Sequence, residues 1–463
     1  MSRPTTTVVQ MPYRNPHASA PLILPVLVVC NTSDDDLYHN IRTSSALDLP
    51  WAWMQPAHDR VAVMCGGGPS LVDHIHHIQE WADYAGDVFA MNGASKFLRE
   101  HGILVDYQVI ADAKQETSSL VDPDAAQHLI ASQCHWDTLF RAERTTLWHL
   151  AIDETMDRFF PAERRKRGGY ALVGGGAAVG NSALCLAYVM GYRKFELYGY
   201  DSSHRDDQSH AYSQPMNNFI PTVNVEWAGK TYLSSVAMKA QAEKFQITGQ
   251  ALKREGCHIT VHGEGLLPAM WNTDASDLAE KDKYRLMWST DSYRNCSPGE
   301  RIVPTILEVM RPEGLVLDFG CGTGRASLEL AKAGCDVLLI DFADNARDEE
   351  AINLPFLEWD LTQPLPPHAH YGICCDVMEH IPTQDVDTVL RNVTDAADTV
   401  FFQISTIPDH FGDMLDTHLH LTVQPHAWWH ERLQKFGDVT FERDLGEASI
   451  FLVRQLASNN RGF

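Results

Sequence analysis

Residues 315–325 read Leu-Val-Leu-Asp-Phe-Gly-Cys-Gly-Thr-Gly-Arg, and the fold of the C-terminal half is decided there. A short apolar run carries Asp318 near its end and then meets Gly320, Gly322 and Gly324. Glycines at those places let the backbone turn tightly and approach a ligand closely before a helix opens, here over Arg325–Ala333. The next apolar run, Val337–Ile340, ends in Asp341, 23 residues after Asp318. A carboxylate at that strand end can accept both hydroxyls of a ribose. Strand, glycine turn, helix and acid-ended strand make a parallel βαβ unit, and Tyr371–Cys375 supplies a further strand.

The same grammar recurs toward the N-terminus. Val61–Cys65 runs into Gly66-Gly67-Gly68-Pro69-Ser70, Val88–Met91 ends at Asn92-Gly93, and Tyr107–Ala111 ends at Asp112. Val173 enters Gly174-Gly175-Gly176, Asn181–Met190 reads as a helix, and Phe195–Tyr198 ends at Gly199-Tyr200-Asp201, with His210-Ala211-Tyr212 beyond. The expected fold class is therefore α/β: two Rossmann-like domains in series, each a mostly parallel sheet flanked by helices. The expected division is an extension with an early strand (1–54), a first domain (55–267), a charged linker (268–299), a second domain (300–456) and a tail (457–463). Two glycine turns at the carboxyl ends of parallel strands would set N–H donors on one rim, which suits a polyphosphate. Asp112 and Asp201 would add the hard oxygen ligands that Mg²⁺ requires. The Walker lysine motif is absent, which excludes a P-loop kinase.

Composition narrows the partners. The chain has 463 residues, 37 Lys plus Arg against 61 Asp plus Glu, and a net charge of −24, which repels a phosphate backbone and argues against nucleic acid. No apolar run approaches membrane-spanning length, and ten scattered cysteines without a CxxC pair fit a reducing cytoplasm. Pro21–Cys30 is too short and too interrupted for a targeting segment and reads as a buried strand; residues 1–20 read as frayed. His74, His76 and His77 follow the first turn at helical spacing and read as a solvated or packed helix face.

From about residue 284 to 455 the order Asp318, glycine turn, Asp341, Glu358-Trp359-Asp360 and Tyr371–Ile381 resembles class I S-adenosylmethionine-dependent methyltransferases. The resemblance implies that Asp318, Gly320, Gly322 and Gly324 hold the methionine end of S-adenosylmethionine, Asp341 its ribose and Asp360 its adenine. His380 of the Glu379-His380 pair becomes a candidate base, with packing and capping as its plainer role. His418, His420 and His426 fall where that family places acceptor-side elements; a metal there lacks an evident third ligand. This chain has Gly372 where the family usually carries an Asp. A nicotinamide-binding reading is disfavoured because its turn would run GxGxxG.

From about residue 55 to 265 the GGGPSL turn, the GGGAAVG turn and the GYD…HAY segment resemble the archaeal-type 6-hydroxymethylpterin diphosphokinase-like family, related in fold to motility accessory factors and sialyltransferase-like enzymes. That resemblance implies Mg²⁺-ATP held by Gly66, Gly67, Gly68, Ser70, Gly174, Gly175, Gly176 and Asn181, the metal by Asp112 and Asp201, and His210 beside the transferred diphosphate. The alternatives are a nucleotide-sugar glycosyltransferase and a non-catalytic module that recruits the methyltransferase. The expected acceptors are small-molecule or glycan-like.

Overall fold

The computed structural model describes residues 7–13, 22–28, 32–150, 172–175, 178–213, 220–274, 278, 280–288, 290–295, 299–343, 345–409, 411–412 and 417–455. The chain forms two compact units, Met1–Thr273 and Asp274–Phe463.

In the first unit a hairpin of β1 (Thr7–Tyr13) and β2 (Leu22–Val28) comes first. The expected strand is thus present, and part of the stretch read as frayed is its partner. Among the described residues the α-helices are α1 (Asp34–Ser45), α2 (Ile75–Tyr84), α3 (Ala94–Glu100), α4 (Trp136–Arg141), α5 (Val179–Val189), α6 (Val236–Arg254) and α7 (Leu266–Trp271). The main strands are β3 (Val61–Cys65), β4 (Gly86–Met91), β5 (Tyr107–Ile110), β6 (Gln127–Ala131), β7 (Thr145–Leu150), β8 (Leu172–Val173) and β9 (Lys194–Tyr198). A hairpin, β10 (Thr222–Trp227) and β11 (Lys230–Ser235), turns through Ala228 and Gly229, both at positive φ as such tight turns require. The strand β12 (His258–Val261) completes an eight-stranded parallel sheet in the order β12-β9-β3-β4-β5-β6-β7-β8. Every residue of β3 is buried, as a central parallel strand covered on both faces demands.

The second unit holds α8 (Glu280–Trp288), α9 (Asp291–Arg294), α10 (Gly299–Val309), β13 (Leu315–Phe319), α11 (Arg325–Lys332), β14 (Asp336–Asp341), β15 (Phe356–Glu358), β16 (Ala369–Cys375), α12 (Val386–Ala396), β17 (Ala397–Ser405), α13 (His426–Leu433), β18 (Asp438–Asp444) and β19 (Ala448–Arg454). Its sheet runs β15-β14-β13-β16-β17-β19-β18, parallel except where β19 pairs antiparallel with β17 and β18. Strand alternation sends Leu317 and Phe319 into one core and Val316 into the other. The segment 268–299, expected as a linker, instead carries the end of α7 together with α8 and α9, in which Tyr284, Leu286 and Met287 are buried.

Both sheets reverse strand order once beside the strand that feeds a glycine turn: β3 has β4 and β9 as neighbours, and β13 has β14 and β16. Outside the carboxyl ends of such a pair the connections leave in opposite directions and open a crevice. Gly372 has a packing reason. A Cβ there would stand 2.6 Å from the Phe319 ring and 3.1 Å from the Ala397 Cβ. We expect Gly372→Ala to lower the stability of the second unit by about 1–3 kcal/mol through overpacking, read as a reduced denaturation midpoint at unchanged slope.

Candidate functional site

In the second unit β13, β16 and β17 bring residues at their carboxyl ends, Asp318, Cys375 and Ser405, to one cavity of about 310 Å³, whereas Asp341 at the end of β14 stands behind the glycine turn and is not among the lining residues. Asp318 lines it, buried, and accepts the Ser327 hydroxyl at 2.6 Å. Burial pushes its carboxyl up to about 7. Gly320 and Gly322 line the same cavity, both at positive φ, and a Cβ on Gly320 would meet Val377 at 2.5 Å. Gly324 also has positive φ; it closes the turn through its N–H to Cys321 O and starts α11.

Asp341 underpins this turn. One carboxylate oxygen accepts the Gly322 N–H at 3.0 Å and the other the Ala343 N–H at 2.9 Å. Backbone donors including Phe342 oppose the effect of burial, which raises its pKa. Asp360 departs from expectation. It is exposed after the edge strand β15, accepts its own Thr362 N–H at 2.9 Å, and does not line the cavity.

The far wall is built by residues that the sequence reading passed over. Asp376 follows β16 at φ 52 and accepts from Gln403 at 2.8 Å. Burial raises Asp376, and burial with the neighbouring Asp376 charge raises Glu379 well above the carboxylate range. Asp409 accepts N–H groups from Gly412 and Leu419 at 2.7 and 2.8 Å and a longer one from His420; burial opposes its charge, but these donors hold it below its ordinary value. Trp288 from α8, Tyr293 from α9 and Phe411 complete the wall, with Trp288–Tyr293 centroids 4.6 Å apart. The stretch read as a linker therefore furnishes part of the site.

His380 lines the cavity with its Nδ1 at 2.9 Å from the Tyr284 hydroxyl and 3.0 Å from Leu419 O. Burial drives it down to about 4, so it is neutral near pH 7 and a weak base. His420 faces it at 4.8 Å between ring centroids. His426 instead binds Ser449 and Glu442, away from the cavity.

In the first unit the crevice beside β3 is smaller, about 120 Å³, and is lined by Gly66–Gly68, Ala178–Gly180, Gly199–Ser202, His210 and Tyr212. The glycines are required by protein neighbours. A Cβ on Gly66 would strike Gly199 O, one on Gly67 would stand 2.7 Å from the Tyr212 hydroxyl, and one on Gly68 would strike the Asp201 carboxylate. The expected row of phosphate donors is largely used up: Gly66 N–H goes to Tyr198 O and Gly68 N–H to Gly199 O, each at 2.8 Å, and Ser70 N–H to Asp201 at 2.9 Å. Pro69 has no N–H, and Ser70 is fully buried beneath the turn.

The second glycine turn also shifts its role. Gly174 and Gly175 follow β8 at the sheet's far edge, five places from β3, and do not line the crevice; Gly176 lies outside the described residues. What reaches the crevice is the first turn of α5, Ala178-Val179-Gly180, whose leading N–H groups have no intrahelical acceptor. Asn181 is buried one residue further and donates to Gln241 O at 3.1 Å.

Asp112 and Asp201 are not brought together. Asp112 follows β5, three places from the β9 strand that carries Asp201, which is about 14 Å at ordinary strand spacing, and it does not line the crevice. Asp201 does, with its pKa raised by burial against the opposing Ser70 N–H. His210, 2.9 Å from the Ser209 hydroxyl, is pushed down to about 4 by burial. His74 and His77 pack around Tyr198, against which His262 is stacked at 4.4 Å, while His76 is exposed.

Residues 36–207 match the family described as 6-hydroxymethylpterin diphosphokinase MptE-like, and residues 316–398 match the family described as methyltransferase domain. No curated protein matches the sequence. Among solved structures, a glycosyltransferase of the motility accessory factor type from Magnetospirillum magneticum is 15% identical, with 59% of this chain and 46% of that one covered at TM-score 0.40. The chain thus spans about half the length of that enzyme. Magnesium protoporphyrin IX methyltransferase from Synechocystis is 18% identical, with 40% of this chain and 100% of that one covered at TM-score 0.30. A protein from Pyrococcus horikoshii is 18% identical, with 36% and 93% covered at TM-score 0.31.

The Asp201 carboxylate satisfies a buried N–H, so Asp201→Ala should cost about 1–3 kcal/mol more than Asp201→Asn, whose amide oxygen still accepts from Ser70. Equal losses in urea denaturation would contradict this.

Proposed function

We propose that the second unit transfers a methyl group from S-adenosylmethionine to a small-molecule or glycan-like acceptor. One observation carries the reading: Asp318, Asp376, Glu379 and Asp409 line a cavity walled by Trp288, Tyr293 and Phe411, and no Lys or Arg is among its described lining residues. A pocket of carboxylates and aromatic faces favours a cationic ligand, and S-adenosylmethionine carries both a sulfonium and an ammonium group. The matching family supports the same reading.

In this scheme Asp318 and the Gly320–Gly322 turn receive the amino-acid end, and Asp341, directly behind that turn, accepts the ribose hydroxyls. The bound sulfonium supplies a leaving group that departs neutral, so the protein's main work is alignment. Where the acceptor is a hydroxyl, Asp376, raised by burial, suits proton uptake better than His380 at about 4. His380, proposed from sequence as the base, is better suited to positioning.

The first unit, in our reading, binds a phosphate-bearing nucleotide with its phosphates at the N-terminus of α5, since the Gly66–Gly68 donors are mostly spent. Diphosphate transfer from Mg²⁺-ATP to a hydroxymethylpterin-like hydroxyl is the activity its family match favours. With Asp112 remote, Asp201 and the nucleotide's own phosphates would have to hold the ion. We expect ATP to be converted to AMP when a hydroxymethylpterin is supplied; release of CMP from a CMP-sugar in the same assay would instead establish glycosyl transfer.

Asp318 gives the second unit a pH signature. Its folded value of about 7 lies above its ordinary 3.8, so its stabilising contribution is full below about 3.8 and is lost as pH rises through 7. A cationic ligand needs the carboxylate, so calorimetric affinity for S-adenosylmethionine should rise by up to about tenfold per pH unit from 5.5 to 7. Asp318→Asn should flatten that slope, and Asp341→Ala should weaken binding by about 2–3 kcal/mol at every pH. No binding at millimolar concentration would refute the methyltransferase reading.

A further inference from the structure

Glu379, His380 and His420 offer one ligand atom each, and the three atoms lie within 4.8 Å of one another at the cavity wall. They come from separate places in the chain. Glu379 and His380 sit in the helical turn that follows β16, and His420 sits in the segment that Asp409 anchors through the N–H groups of Leu419 and His420.

The two rings are oriented alike. A backbone carbonyl only accepts, so Nδ1 of His420, 2.7 Å from Ile407 O, carries the ring proton; Nδ1 of His380 lies 3.0 Å from Leu419 O and 2.9 Å from the Tyr284 hydroxyl, and donating to the carbonyl while the hydroxyl accepts gives it the same tautomer. Each Nε2 then presents a lone pair. Histidines that bind metals are held in this way, with the second nitrogen donating to a carbonyl or carboxylate. Glu379 is fully buried, and its Oε1 accepts the Ser405 N–H at 3.0 Å. Its Oε2 is buried with no hydrogen-bond partner among the described residues. That oxygen lies beside two imidazole rings and the neighbouring Asp376 carboxyl, and no Lys or Arg is among the described residues of this wall, so the cluster gathers donor atoms with no protein cation among them.

We propose that Glu379, His380 and His420 bind a divalent transition-metal ion in the cavity of the second unit, with coordination positions left open toward the methyl acceptor. Two imidazoles and one carboxylate are the donor set of open, catalytic-type sites for Zn²⁺, Mn²⁺ or Fe²⁺. The site stands on these side chains alone, whereas its use in catalysis rests on the methyltransferase reading. There the ion would select an oxygen-bearing acceptor, a hydroxyl or carboxylate, and ease the ionisation of a hydroxyl. Asp376, beside Glu379, is available as a further ligand or as a proton acceptor.

The test uses the full chain, stripped with EDTA, dialysed, and titrated calorimetrically with Zn²⁺ and Mn²⁺ and by visible absorption with Co²⁺. The wild type should bind one equivalent that His420→Ala and His380→Ala weaken at least tenfold, while His76→Ala, which removes an exposed imidazole elsewhere, leaves it intact. Because Glu379 is wholly buried, His420, which is partly exposed, is the primary variant, with circular dichroism and S-adenosylmethionine affinity reporting its fold. Full metal affinity in both folded His variants, or no binding of any of the three ions at millimolar concentration, would overturn the site. Metal binding without S-adenosylmethionine binding would uphold the site and remove the methyltransferase reading.

Discussion

One contact is repeated in both units, and the sites depend on it: a buried carboxylate at the end of one strand accepts a backbone N–H from the glycine turn of its neighbour. Asp341 does this for Gly322, and Asp201 does it for Ser70. A tight turn leaves N–H groups that a buried site must satisfy, and a charged acceptor does so more strongly than a neutral one. The turn is thereby fixed at the switch point of the sheet, and the crevice beside it takes its shape.

The two crevices diverge in what remains available. In the second unit the turn keeps Gly320 and Gly322 at the cavity wall, Asp341 holds the turn from behind, and carboxylates stand among aromatic faces. In the first unit the carbonyls of Tyr198 and Gly199, together with Asp201, consume the donors of the glycine turn, so the start of α5 becomes the anion-facing element. The glycines there serve the close approach of β3 and β9 as much as any ligand.

Much of the frame was legible in the chain itself. The runs at Val61–Cys65, Tyr107–Ile110 and Leu315–Phe319 are strands because apolar stretches of that length ending at Gly or Asp have few alternatives. Less was legible in 268–299, where charge and serine suggested a linker although Tyr284, Leu286 and Met287 at helical spacing form a buried face. Asp376 carried the same signal as Asp318, an acid closing an apolar run, and could have been found by it. Asp360 carried a similar signal and lies outside the cavity, because its strand is at the sheet's edge.

By itself the sequence determined two α/β units, the glycine turns, Asp318 and Asp341 at neighbouring strand ends, and a net charge of −24. These follow from local pattern, since strand period, turn chemistry and net charge need no knowledge of what lies across the sheet. Only the tertiary structure decided which rim residues share a cavity. Strand order is a long-range property, and it places Asp112 three strands from Asp201 while bringing His420 onto Glu379 and His380 across some forty residues of chain.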